Sequence, residues 1–260
     1  MAASRCIDGG PFLDANGVWM SGFPKKATIL IAALSCICAM VRPAMAQTPV
    51  DLQLVLAVDA SGSVNMPRFE LQKRGYVEAM KNPKVLNAIR SGQTGSIAVT
   101  MFQWTGARLQ ADVIPWMILK DEDTGKAVSD AIAAYPRRLF GGGTSLSGAI
   151  DHAMAMFSEG PYRGARQVID ISGDGSNNSG RPDTVARNEA VARGVIINGL
   201  PILTVEPDLD DYYRDNVVGG EGSFVIAIKD FEAFSDAIVR KLVAEIASND
   251  PRGGAIRRRF

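Results

Sequence analysis

The 260-residue chain has three cysteines, and all of them, Cys6, Cys36 and Cys38, lie before residue 47. The remainder therefore has no disulfides, thiolate metal sites or cysteine nucleophiles to draw on. Histidine is nearly absent as well: His152 is the only one, so a Ser-His-Asp hydrolase would have to use it. His152 falls on a predicted helix and no G-x-S-x-G elbow is present, so a helix-surface or packing role fits it better. Charge of either sign is not in surplus, with 28 basic against 28 acidic residues and no basic patch before the last few positions. That excludes nucleic acid as the expected partner. There are no repeats, no low-complexity segments and no linker that would divide the chain.

Long hydrophobic runs are missing too. The longest, ATILIAALSCICAMV at 27–41, is about 15 residues against the roughly 20 that a spanning helix needs. Lys25 and Lys26 precede it, and Ala44, Met45 and Ala46 follow as small residues suited to cleavage before Gln47. A basic start, an apolar centre and A-x-A together read as a secretory signal peptide over residues 1–46. On its length the run is better read as this signal than as an uncleaved anchor, and Cys36 lies mid-run rather than at its end, which argues against lipid attachment. The polar stretch before Lys25 is long for such a signal, and Met20 offers an alternative start within an over-extended N-terminus. The expectation is an exported protein, periplasmic or secreted, with one domain over residues 47–248, no spanning segment after cleavage, and a basic flexible tail at 249–260.

From Val50 onward, apolar runs of strand length alternate with amphipathic segments of helix length. LQLVLAV (52–58) is almost continuously apolar, as a strand buried on both faces should be. Pro67 suits the first turn of a helix reaching about Met80. SIAVTMFQW reads as a strand, and Pro115 marks RLQADVIPW as an edge strand or strand end. Asp123–Ala134 and Ser145–Phe157 read as helices; Met154, Met156 and Phe157 serve as packing for the second. RQVIDIS, VIINGLPILTV and SFVIAI read as further strands. Thr184–Ala192, DLDDYYRDNVV and DFEAFSDAIVRKLVAEIA read as helices. The acids of DLDDYY (208–213) suit a solvated helix start better than a second cation site or a docking surface. The alternation predicts an α/β fold: a doubly wound, mostly parallel six-stranded sheet with helices on both faces, Rossmann-like in plan.

Three loops carry more oxygen donors than turns require: Asp59, Ser61 and Ser63 in VDASGS, Thr144 in GGGTS, and Asp174 in SGDGSNN. Asp59 and Asp174 each follow an apolar run within a residue or two, which puts both at carboxyl ends of parallel strands, where open α/β sheets bind ligands. Two converging carboxylates repel unless a cation or proton lies between them. An oxygen-only donor set points to Mg²⁺, with Mn²⁺ and Ca²⁺ as alternatives, rather than zinc. Neutral hydroxyls leave such an ion able to attract a carboxylate from outside. Asn177 and Asn178, next in the loop, are candidates for contacting a bound partner or for shaping the turn. D-x-S-x-S alone is a weak signal, because an Asx-turn with capping serines gives the same string. With Thr144 and Asp174 in place the pattern becomes specific.

DASGS, the GGGTS threonine and the SGDG aspartate, in that order, resemble the metal-ion-dependent adhesion site (MIDAS) of von Willebrand factor type A (vWA) domains. The resemblance covers roughly 50–247, and YYRDNVVGGEGSFV is similar to a bacterial secreted subgroup of unknown function. It implies a vWA fold and direct coordination of a divalent cation by Ser61, Ser63 and Thr144. Asp59 and Asp174 would mainly hold water ligands, and one position would stay open to an acidic side chain of a protein partner. The function implied is adhesion-type protein binding, not catalysis. The rival is a Mg²⁺-dependent phosphatase of the haloacid dehalogenase type, whose strand-end D-x-D and later GDGxxD resemble DAS and GDGSNN. Its second aspartate, the general acid, is here Ser61, which cannot protonate a leaving group near neutral pH. Asn178 replaces its last acid. GGGTS also lacks the G-K-[ST] of a nucleotide-binding loop.

Overall fold

The computed structural model describes residues 47–247. The expected signal segment and basic tail lie outside the described residues. Five strands form one sheet in the order β3-β2-β1-β4-β5: β1 (Thr48–Asp59), β2 (Ile97–Trp104), β3 (Gln110–Leu119), β4 (Tyr162–Gly173) and β5 (Ile196–Pro201). β1 pairs in parallel with both β2 and β4, β4 pairs in parallel with β5, and β3 closes one edge antiparallel to β2. β3 contains Pro115, which the antiparallel edge tolerates.

Alternation along β1 fixes what each face packs against. Leu52, Leu54, Leu56 and Val58 join a core with helices α1 (Met66–Met80), α2 (Pro83–Arg90), α3 (Glu122–Ala134) and α7 (Phe234–Ala247). Val55 and Ala57 join a second core with α4 (Leu146–Glu159), α5 (Asp183–Ala192) and α6 (Leu209–Tyr212), which runs on into a π-helical turn at Tyr213–Val217. Both faces of the sheet are thus covered, which is why its strands read as continuous apolar runs.

The sixth strand expected at SFVIAI does not form. Ser223–Ile228 lies along β5 but makes isolated bridges, Gly199 to Val225 and Ile202 to Ile228, instead of a continuous ladder. β5 stops at Pro201, which has no N–H to donate, so the pairing is broken midway and the expected strand through Val205 ends four residues early. The α2 helix is an addition to the expected elements. Asn82 caps it by accepting from the Lys84 N–H at 2.9 Å, and Pro83 occupies its first turn.

The chain leaves β1 to build one side of the sheet and returns on β4 to build the other, so the order reverses between β1 and β4. Their carboxyl ends open onto the crevice where sheets of this kind bind ligands. Among the described residues no helix is long and apolar enough to cross a membrane.

Candidate metal centre

Asp59 ends β1 with its side chain wholly buried, and its Oδ1 accepts the Ser61 N–H at 2.7 Å. That short Asx-type turn carries the chain out of the sheet and presents two hydroxyls in succession. Ser61 Oγ and Ser63 Oγ lie 3.1 Å apart, and Ser63 Oγ donates to Asp174 Oδ1 at 2.5 Å. Asn65 then caps α1, its Oδ1 accepting the Arg68 N–H at 3.0 Å, a cap worth about 1 kcal/mol. Pro67 sits in the first turn, as the sequence indicates.

Asp174 follows β4 and is also wholly buried. Its N–H reaches Asp59 Oδ2 at 3.4 Å, a long contact that links the two loops. Asp174 Oδ2 finds no hydrogen-bond donor and faces only the Arg68 guanidinium, 3.5 Å away. The same guanidinium donates to the Ser63 carbonyl at 2.9 Å. On the other flank Arg137 donates to the Ala60 and Ser61 carbonyls at 2.9 and 3.0 Å.

Thr144 is brought to this loop by a two-point clamp. Its N–H donates to Asn178 Oδ1 at 2.8 Å, and its carbonyl accepts the Asn178 N–H at 2.9 Å. Gly142 and Gly143 have φ of 107° and 82°, which a residue with a side chain rarely adopts, and a methyl on Gly143 would stand 2.8 Å from Asn178 Oδ1. Ser145 caps α4 and fixes the exit of the loop, its N–H donating to the Thr105 carbonyl at 2.7 Å. The Thr144 hydroxyl then lies beside Gly175, 3.6 Å from where a methyl on that glycine would stand. Asn177 is engaged within the fold as well: Oδ1 accepts the Ser147 N–H at 3.4 Å and Nδ2 donates to the Arg181 carbonyl at 3.1 Å.

The electrostatics follow from two acids sharing a dry site. Burial, with the charge of Asp174 in addition, pushes the Asp59 carboxyl up to about 7. Burial also raises Asp174, opposed by the Ser63 hydroxyl and the Arg68 cation. The donor set fits a divalent cation: two carboxylates whose charged forms the site disfavours, an orphaned Asp174 oxygen, and neutral hydroxyls around them. Among the described residues no three His, Cys, Asp or Glu side chains cluster as a metal site; the oxygen donors here are mostly hydroxyls.

Sequence reasoning missed Glu206. It accepts from the Ser176 N–H and hydroxyl at 3.0 and 3.1 Å, behind the Asp174 loop. It was hidden because the apolar run through Val205 read as strand. Arg68 lies five residues beyond Ser63 of the first motif but carries no spacing signature. His152 has none of the candidate site residues as a partner; it is paired with Asp112 at 2.9 Å and packed against Phe102.

This arrangement is a vWA-type fold, and solved structures of that fold superpose on it. Proximal thread matrix protein 1 from the mussel byssus, with a zinc-occupied MIDAS motif, aligns at TM-score 0.53 and 18% identity over 77% of this chain and 49% of its own. A von Willebrand factor type A protein from Catenulispora acidiphila aligns at 0.55 and 16%, over 76% and 43%. The pilus adhesin SpaC from Lactobacillus rhamnosus GG, in its open conformation, aligns at 0.55 and 16%, over 78% and 30%. The chain thus spans half or less of these proteins, and at such identity the likeness establishes the fold. The chain itself belongs to the family described as "Protein of unknown function (DUF1194)", which matches residues 49–250. No curated protein matches it.

Proposed function

We propose that this is an exported protein-binding domain that captures an acidic side chain of a partner through a divalent cation, Mg²⁺ by preference with Mn²⁺ or Ca²⁺ as substitutes. The observation that carries the reading is the convergence of two wholly buried carboxylates, Asp59 and Asp174, with the Ser61 and Ser63 hydroxyls at the switch point. Ser61, Ser63 and Thr144 would hold the ion directly. Asp59 and Asp174 would accept hydrogen bonds from its water ligands and supply the compensating charge. The ion would supply an electrophilic centre for an incoming carboxylate, and the chain's own residues orient and screen that approach. Asn178 contributes by holding Thr144 in place, and Asn177 by bracing the same loop.

The surroundings support a partner whose carboxylate is flanked by apolar groups. Among the described residues the exposed large hydrophobics are Met66, Leu109, Phe140, Val185 and Val205. Met66 opens α1, Leu109 lies in the β2–β3 turn, Phe140 precedes GGGTS, Val185 is in the first turn of α5, and Val205 follows β5. All five segments emerge at the carboxyl edge, and apolar exposure on the edge that carries the candidate site favours an interaction surface there. Arg68 and Arg137 flank the same loop and complement an acidic partner. Binding is favoured over phosphoryl transfer because the place of a general acid is held by Ser61, which pairs with Ser63.

The test is a pull-down from envelope extract with wild-type and Thr144→Ala protein, each with Mg²⁺ and with chelator. Thr144 is a loop residue, so the variant should fold normally, yet lose the captured protein as completely as chelator treatment does. Capture that survives both would contradict the reading. The signal segment is part of the same proposal, and N-terminal sequencing of the exported form should begin at Gln47.

A further inference from the structure

We infer that Tyr213 is a positioning residue of this metal centre, its phenol serving as the buried donor that fixes the Asp59 carboxylate; the inference rests on the cation-binding reading above. Asp59 pairs with Trp104 across β1 and β2, and one step beyond the Val58–Ser172 pair the same row meets Gly173 on β4. Trp104, Asp59 and Gly173 thus form a transverse row at the carboxyl edge, on the face covered by α4 and α5. The row lacks a side chain at Gly173, and Tyr213 fills that place from outside the sheet.

Two glycines make room for it. A methyl on Gly199 would come within 2.5 Å of the Tyr213 ring, so glycine at this position of β5 leaves room for the ring. A methyl on Gly173 would stand 2.9 Å from Tyr213 Oη, 3.1 Å from Asp59 Oδ2 and 3.2 Å from the Trp104 ring. Three groups from three elements therefore converge on one backbone position. The tyrosine is aimed there by the π-helical turn it begins, a departure from regular helix that recurs at functional sites.

The hydrogen bonding around the row is incomplete. Tyr213 is wholly buried and its hydroxyl has no partner; the Trp104 Nε1 is likewise buried without one. A tyrosine needed only for packing would not bury a bare hydroxyl, which costs about as much as a lost hydrogen bond. Asp59 Oδ1 is satisfied by Ser61, but Oδ2 has only the long contact from Asp174 N–H. The Tyr213 hydroxyl and that Oδ2 converge on one spot, 2.9 and 3.1 Å from where a methyl on Gly173 would stand, and the hydroxyl makes no hydrogen bond there. Donation from it, after a small shift of the ring or through one water, would fix Oδ2 when an ion is held and leave the carboxylate ionised and correctly turned toward the ion's ligand shell. Metal-site carboxylates and imidazoles depend on outer partners of this kind.

Tyr213→Phe keeps the ring and removes only the hydroxyl. Mn²⁺ binding to the purified protein is followed by the electron paramagnetic resonance signal of the free ion, alongside thermal melts in chelator. The expected result is Mn²⁺ affinity weakened roughly tenfold, with the melting temperature in chelator unchanged or raised. Equal Mn²⁺ affinity in wild-type and variant would overturn the role of Tyr213 while leaving the metal centre standing. Weaker binding accompanied by a lower melting temperature in chelator would mark Tyr213 as structural and also overturn it. If the wild-type protein takes up no Mn²⁺, the cation-binding reading itself fails, and this inference with it.

Discussion

Asp59 is the residue on which the proposed chemistry turns. An aspartate in an unfolded chain titrates near 4, whereas here burial beside Asp174 pushes it up to about 7. Between those values the folded protein holds a proton that the unfolded chain has released. In chelator, stability should therefore fall as pH rises from about 4 to about 7 and level off above that. Asp174 is shifted in the same direction. Asp59→Asn should flatten the decline in melting temperature, and saturating Mg²⁺ should oppose it in the wild-type, because the cation takes the place of the proton. A wild-type slope that persists unchanged in Asp59→Asn would show that this carboxyl is not its source. At this scale much of the candidate site was legible. D-x-S-x-S, Thr144 and Asp174 are local strings whose oxygen chemistry can be read directly. Tyr213 was not legible: its approach to Asp59 depends on a π-helical turn and on what Gly173 and Gly199 omit.

Among the elements, α7 is attached in a way no sequence pattern indicated. Lys241 is wholly buried and lies 2.8 Å from Asp170 Oδ1 of β4 and 2.5 Å from Glu245 Oε1 one turn on. Asn198 of β5 donates to the same Glu245 oxygen at 3.1 Å, and the Lys241 ammonium lies 5.3 Å from the Phe224 ring centroid. Burial, reinforced by Glu245, pushes Asp170 up to about 7 against the pull of Lys241. The sequence shows this helix as amphipathic, but a lysine and a glutamate four apart look like an ordinary exposed pair. Only the sheet's geometry puts Asp170 opposite them. Lys241→Met would take from the buried Asp170 carboxylate the cation that faces it, and should cost about 3–5 kcal/mol in chemical denaturation at pH 8. The loss should shrink toward pH 5, where Asp170 takes up a proton. A neutral substitution at both pH values would mean the cluster contributes nothing net.

For the whole molecule, alternation of apolar runs with amphipathic segments was enough to give the doubly wound plan, since burial on both faces of a parallel sheet leaves a strong compositional trace. It overcounted by one strand because SFVIAI has strand composition, and what prevents a ladder there is the absent N–H of Pro201 on its neighbour. Strand ladders depend on both partners, and composition describes one at a time. The same topology gathers three motifs, spread over more than a hundred residues, at one edge where the strand order reverses. The fold thus positions the candidate site, and the central claim is that a divalent cation binds there. Crystals soaked in Mn²⁺ test it through the anomalous signal of the ion. One peak is expected among the hydroxyls of Ser61, Ser63 and Thr144, lost in Thr144→Ala; crystals with no peak at that edge, or with Mn²⁺ bound elsewhere, would contradict cation binding there.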